Sequence, residues 1–210
     1  MSHANTYLHQ AAPAIASVIE AGRLAAARGW LPATSGNLSA RVDARHVVIT
    51  RSGRDKGALT PDDLAVVALD QVLPGDLSAE APLHLARYRA DPAIGAILHA
   101  HQPLAALAGR RHQDAGVLLL QGWELQKAFA GETTHDSTLR VPVFANAQDT
   151  VTLAQQVEAH LAAEPGRLAP GYLLAGHGAY VWGRNGKEAF RHLEALDALL
   201  QLQQAWEHTT

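Results

Sequence analysis

The residues best equipped for chemistry in this chain are histidines. His99 and His101 follow the apolar run Ile94–Leu98, which reads as a buried strand. Side chains two apart on a strand point to the same face, so these two imidazoles can converge on one cation at the strand's carboxyl end. Neutral imidazole binds zinc and similar divalent metals at about 2.0–2.1 Å. His177 stands between Gly176 and Gly178, and glycines permit the tight turn and close approach that a third ligand needs. Three imidazoles with an open fourth position describe a catalytic metal, as opposed to a closed structural one. Singly these features say little, since His-x-His pairs arise by chance and a Gly-His-Gly run is usually only a turn. The chain holds 12 His and no Cys. Disulfides, thiolate sites and iron–sulfur clusters are therefore excluded, and any metal must rest on His, Asp or Glu. His84, His112, His160 and His192 fall on presumed helices or their edges, where they are expected to face solvent or pack partly. His135 lies in the polar loop Thr133-Thr134-His135-Asp136, a place where substrate contact is an option.

Carbonyl chemistry beside a metal needs a proton carrier. Glu80 comes just after Ser78, and Glu124 follows Gly122-Trp123, each at an expected helix start. Either carboxylate could simply complement a helix dipole. Glu124 has apolar neighbours, Trp123 and Leu125; burial there would raise its proton affinity and suit it to acid–base work. Three loops could hold an anion. Thr34-Ser35-Gly36-Asn37 precedes a strand, and Ser52-Gly53-Arg54-Asp55-Lys56-Gly57 follows one. Both offer hydroxyls and glycine-freed N–H groups, and the second adds cationic side chains. Ser78, at a helix start, is a third donor. Candidate phosphate contacts are thus Ser35, Gly36, Asn37, Ser52, Gly53 and Ser78, with Lys56 and His135 as further candidate substrate contacts. Each loop taken alone also reads as an ordinary polar turn.

The elements that must position these groups follow from apolar spacing. A first helix spans Thr6 to Arg28, with Leu8, Ala11, Ala12, Ile15, Val18, Ile19 and Gly22 on one face, ended by Gly29 and Pro32. Strands are expected at Leu38–Val42, His46–Ile49, Leu64–Leu69, Ile94–Ala100, Val117–Leu120, Val141–Phe144, Tyr172–Leu174 and Ala179–Trp182. Further helices are expected at Ser78–Arg89, capped by Ser78, and at Leu104–Arg110, Glu124–Ala130, Thr150–Ala163 and Glu188–Trp206, the last with Leu193, Leu196, Leu199, Leu200 and Leu202 on its apolar face. Thr60-Pro61 signals another helix start, and Pro165-Gly166 a helix end. No linker or repeat interrupts the order. Residues 1–210 read as one α/β domain, with a mixed or largely antiparallel sheet and helices on both faces. No glycine fingerprint opens the first helix, so a Rossmann unit is not expected.

Composition bounds the class. The chain has 210 residues, 48% of them hydrophobic and 18% charged, with a net charge of −3. That is a globular composition, with no basic footprint for nucleic acid. No apolar run approaches the ~20 residues that span a bilayer, and no signal-peptide layout opens the chain. A soluble cytoplasmic protein is expected, with no nucleic-acid or membrane partner.

Taken in order, several segments resemble the class II aldolase/adducin superfamily across nearly the whole chain, about Thr6 to Trp206. They are Thr34-Ser35-Gly36-Asn37-Leu38-Ser39, Leu59-Thr60-Pro61-Asp62-Asp63, Ser78-Ala79-Glu80, Leu98-His99-Ala100-His101 and Gly176-His177-Gly178-Ala179-Tyr180-Val181-Trp182-Gly183. Three more resemble the sugar-phosphate dehydratases of methionine salvage: Ser52-Gly53-Arg54-Asp55-Lys56-Gly57, Gly122-Trp123-Glu124-Leu125-Gln126-Lys127-Ala128 and Val141-Pro142-Val143-Phe144-Ala145-Asn146. The resemblance implies a three-layer α/β/α sandwich around a mixed, mostly antiparallel sheet. It implies a Zn ion, one per subunit, on His99, His101 and His177, with Fe, Co or Mn as options for the same imidazoles. It implies loss of water from a small phosphorylated ketose, and a homotetramer with its sites at subunit interfaces. In the dehydratases the acid–base group is a Glu matched by Glu124; in the aldolases it is a Glu matched by Glu80. Ala79 stands where the aldolases carry a second serine. A sugar-phosphate aldolase or epimerase, and a non-catalytic adducin-like binding module, are the competing expectations.

Overall fold

The computed structural model describes residues 3–72, 74–164 and 168–207. Its centre is an eight-stranded sheet ordered β3-β2-β1-β4-β8-β7-β6-β5. The strands are β1 (Asn37–Arg41), β2 (His46–Thr50), β3 (Leu64–Ala68), β4 (Ala96–Ala100), β5 (Val117–Leu120), β6 (Leu139–Phe144), β7 (Gly171–Leu174) and β8 (Gly178–Gly183). Only β6 and β7 run parallel; every other neighbouring pair is antiparallel. Helices α1 (His3–Ala27), α3 (Pro103–His112) and α5 (Gly186–Glu207) pack on one face. Helices α2 (Ala81–Ala90) and α4 (Thr150–Ala163) pack on each other and cover the other. The result is the expected three-layer α/β/α sandwich.

Strand alternation divides the core in two. Leu38, Ala40, Leu98, Ala100, Ala179 and Val181 meet α1 and α5, while Val47, Ile49, Ile97, Tyr172 and Tyr180 meet α2 and α4. The buried stripe of α1 is Ala11, Ala14, Val18, Ala21 and Ala25, with Ile15 and Ile19 at its margin and Ala12 in solvent. These small residues bring the helix close: a Cβ on Gly22 would lie 2.3 Å from the Lys56 carbonyl oxygen.

Several local expectations are corrected. Ser78 does not open α2, which begins three residues later; its hydroxyl instead accepts from the Glu80 N–H at 3.3 Å. Thr60-Pro61 starts only one tight turn, Pro61–Asp63, closed when Thr60 N–H and hydroxyl donate to the Asp63 carboxylate. Glu124–Ala128 is likewise a 3₁₀ turn and not an α-helix. His84 and His192 are buried and do not face solvent. Leu202, expected on the apolar face of α5, is 41% exposed. The Pro165-Gly166 break lies outside the described residues. No helix among those described is long and apolar enough to cross a membrane.

Candidate metal centre

The sheet register brings the three histidines together. His99 sits on β4 opposite Asn37 of β1 and Tyr180 of β8, and His101 lies just past the strand's end. His177 occupies the turn between β7 and β8, where Gly176 takes a left-handed φ of +68°. Gly178 supplies the close approach: a Cβ there would stand 2.1 Å from the Ala100 carbonyl oxygen. The Nε2 atoms lie 3.0 Å (His99–His101), 2.9 Å (His101–His177) and 3.3 Å (His99–His177) apart. Three nitrogens on a tetrahedral ion at zinc-like bond lengths would be separated by about 3.3 Å. The donor set therefore fits a small divalent cation.

Other contacts fix which nitrogen faces the cluster. His99 Nδ1 bonds to the Ala179 carbonyl at 3.0 Å, and His177 Nδ1 to Asn146 Oδ1 at 3.2 Å. With Nδ1 as the N–H donor, each Nε2 keeps a bare lone pair for a metal. Tyr180 stacks on the His99 ring at 4.0 Å between centroids. Burial first, then the neighbouring His99 and His177, lower the His101 pKa to about 4 and hold the ring neutral, the state a ligand requires.

Glu80 completes the cluster. Its oxygens lie 2.9 Å from His177 Nε2 and 3.4 Å from His99 Nε2. Among the described residues these four side chains present ligand atoms within 4.8 Å of one another. Burial raises the Glu80 pKa, but His177 and His99 outweigh it and pull the carboxyl far below the usual carboxylate range. Asn37 Nδ2 holds this carboxylate at 2.8 Å and also donates to Ser78 Oγ at 3.0 Å.

Of the proposed anion loops, the first adjoins the cluster and the second is tied to the segment leading to Ser78. A Cβ on Gly36 would lie 2.5 Å from the His99 carbonyl oxygen, so this loop is packed on β4 itself. Ser52 N–H donates to the Asp76 carbonyl at 3.0 Å, and Arg51 bridges Leu77, which ties the second loop to the Ser78 segment. Ser35 Oγ and Asn37 Oδ1 are buried without a hydrogen-bond partner. Buried polar atoms without partners are costly unless a ligand or water meets them.

Residues 16–204 match the family described as Class II Aldolase and Adducin N-terminal domain. The chain belongs to that family. Among curated relatives, it is 53% identical over 189 residues to a methylthioribulose-1-phosphate dehydratase of Bradyrhizobium sp., covering 89% of this chain and 88% of that one. It is 48% identical to the enzyme of that name from Parvibaculum lavamentivorans, covering 91% and 93%. Among solved structures, L-fuculose-1-phosphate aldolase from Thermus thermophilus superposes with a TM-score of 0.73 at 29% identity, covering 92% and 96%.

Two other candidates, Glu124 and His135, are not among the four clustered side chains. Glu124 is outside the cluster, with 69% of its side chain exposed. The anticipated burial is absent, and the Lys127 ammonium, with His135 beside it, lowers its pKa instead of raising it. His135 is half exposed and pairs with Glu124 at 3.3 Å. Lys56 is only 3% exposed and donates to the Thr34 carbonyl. Sequence reasoning missed the supporting roles of Asn146 and Tyr180, and a buried network behind them. In that network Ser39 Oγ meets His84 Nδ1 at 2.7 Å and Tyr88 hydroxyl at 3.0 Å. Burial lowers the His84 pKa to about 3, with His99 adding to the effect, so His84 is neutral. The one signal available was spacing: His84 and Tyr88 stand four apart on α2 and share a face.

Proposed function

We propose that this chain is a metal-dependent hydro-lyase of methionine salvage. It removes water from 5-methylthioribulose 1-phosphate to give 2,3-diketo-5-methylthiopentyl 1-phosphate, in the cytoplasm and as a homotetramer. The observation that carries the reading is the convergence of three imidazole Nε2 atoms and the Glu80 carboxylate beside loops rich in anion donors. The names and identities of the dehydratase relatives select the substrate within that chemistry. Zn²⁺ suits a three-nitrogen donor set; Fe²⁺, Co²⁺ and Mn²⁺ are accepted by the same ligands.

When bound by His99, His101 and His177, the divalent ion supplies Lewis acidity toward the substrate's ketone. The chain's own groups do the rest. Ser35, Gly36, Asn37, Ser52, Gly53 and Ser78 hold the phosphate and set the register of the carbon chain. Glu124 takes the proton from the carbon beside the ketone, and the electron pair passes into the carbonyl. The hydroxyl one carbon further on leaves, protonated to water by the same carboxyl. The enol product then tautomerises to the diketone. Glu124 is exposed and outside the cluster of its own subunit, so in this reading it serves the metal centre of a neighbouring subunit. Glu80, held by the Asn37 amide beside the imidazoles, stays ionised.

The same cluster and the L-fuculose-1-phosphate aldolase fold also suit carbon–carbon cleavage, so the decisive experiment is a substrate panel. Metal-replete protein should release water from methylthioribulose phosphate and leave ribulose and fuculose phosphates uncleaved. Cleavage of the latter, with the former untouched, would replace the dehydratase with an aldolase. Protein purified without stoichiometric metal and inert to the whole panel would point to a binding module.

A further inference from the structure

Lys56 is buried, yet among the described residues its only hydrogen-bond partner is the neutral Thr34 carbonyl. An ammonium has three N–H donors, so this contact leaves two of them unused. The backbone around Lys56 is pinned from behind, where α1 passes so closely that Gly22 has no room for a Cβ. In front, its charge acts on both Glu80 and His101. The carbonyl it grips belongs to an unusual turn. Ala33 and Thr34 adopt left-handed φ values of 53° and 60°, followed by Gly36 at 75°. Non-glycine residues are disfavoured there by Cβ crowding, and two in succession persist only where surrounding contacts impose them.

We propose that Lys56 is a positioning residue. Its ammonium holds the 33–36 turn in its strained form, and that form presents Ser35, Gly36 and Asn37 to the substrate's phosphate. Dropped from its carbonyl anchor, the turn relaxes toward extended backbone and the cradle opens. The inference rests on the sugar-phosphate reading. It is tested by binding without turnover, so the failure of one can be told from failure of the other.

The probe is inorganic phosphate, titrated into the metal-replete assembled protein. Lys56→Met should keep its metal and lose phosphate affinity by about tenfold or more. With the phosphorylated substrate, KM should rise much more than kcat falls. Thr34→Gly added to Lys56→Met should recover most of the affinity, because glycine takes a left-handed φ without a clamp. Phosphate affinity within about twofold of the unaltered protein in Lys56→Met overturns the proposal. So does loss of metal, or a double variant that binds no better than the single one, which would make Lys56 a direct charge contact. A Lys56→Met chain that folds only together with Thr34→Gly supports the clamp; one that fails in both backgrounds overturns it.

Discussion

His99 shows how much a single ring position can carry. It is fully buried on β4, stacked on Tyr180, oriented by the Ala179 carbonyl and within 3.3 Å of both other imidazoles. Removing it leaves two imidazoles and a carboxylate without the one fully buried member of the cluster. His99→Ala should bind divalent metal more than about 100-fold more weakly and lose activity in parallel, read by metal titration and turnover on one preparation. An active variant with full metal would show that the cluster is not the catalytic centre. At this scale the ligands were legible and their supports were not. His99, His101 and His177 announce themselves by residue type and by neighbouring glycines. Asn146 and Tyr180 carry no such mark, because what defines them is a partner 31 or 81 residues away in the chain.

At the scale of elements, the geometry depends on a turn and a cap. Gly178 lets the β7–β8 turn lie against the end of β4. Gly178→Ala must push Ala100 aside, and overpacking of this kind costs about 1–3 kcal/mol. The variant should melt lower and bind metal more weakly, since His177 moves with the turn; unchanged metal affinity would separate the turn from the site. The start of α5 is held by Asn185 Oδ1, which accepts from the Glu188 N–H at 2.9 Å, while Glu188 accepts from the Arg184 N–H at 2.7 Å. The Arg184 guanidinium bonded to Glu188 brings its pKa down to about 2. A carboxyl depressed in the folded state stabilises fully above the unfolded value of about 4.3. That contribution fades as pH falls and is gone below about 2. The melting-temperature gap between the protein and Glu188→Gln should therefore be widest above pH 5 and close toward pH 2. A gap independent of pH would show that the charge contributes nothing.

At the scale of the whole molecule, the dehydratase reading needs a second subunit. Glu124 follows Trp123, which lines one surface cavity with Leu119 and Trp206, 49% and 58% exposed, and precedes Leu125, 38% exposed. Apolar side chains collected in this way mark interaction surfaces. Glu124→Gln should keep its metal and turn over very slowly, and His99→Ala should be inactive for want of metal. When the two are mixed and reassembled, about a quarter of the sites would combine an intact metal centre with an intact Glu124 from its neighbour. Recovered turnover near that fraction is the expected result, seen by assay after subunit exchange. No recovery between subunits that demonstrably exchange would return the acid–base role to Glu80, the carboxylate already at the cluster.

The sequence alone determined the period of each main element, the layered α/β architecture and the three histidines. These are local or periodic properties, set by side-chain type and by spacing of 2 or about 3.6 residues. Only the tertiary structure decided that Glu80 lies among the imidazoles while Glu124 faces outward. It alone decided that Lys56 is buried under a strained turn and that His84 is a neutral core residue. Burial, proton affinity and reach depend on which distant segments the sheet register brings side by side. No window along the chain contains that information.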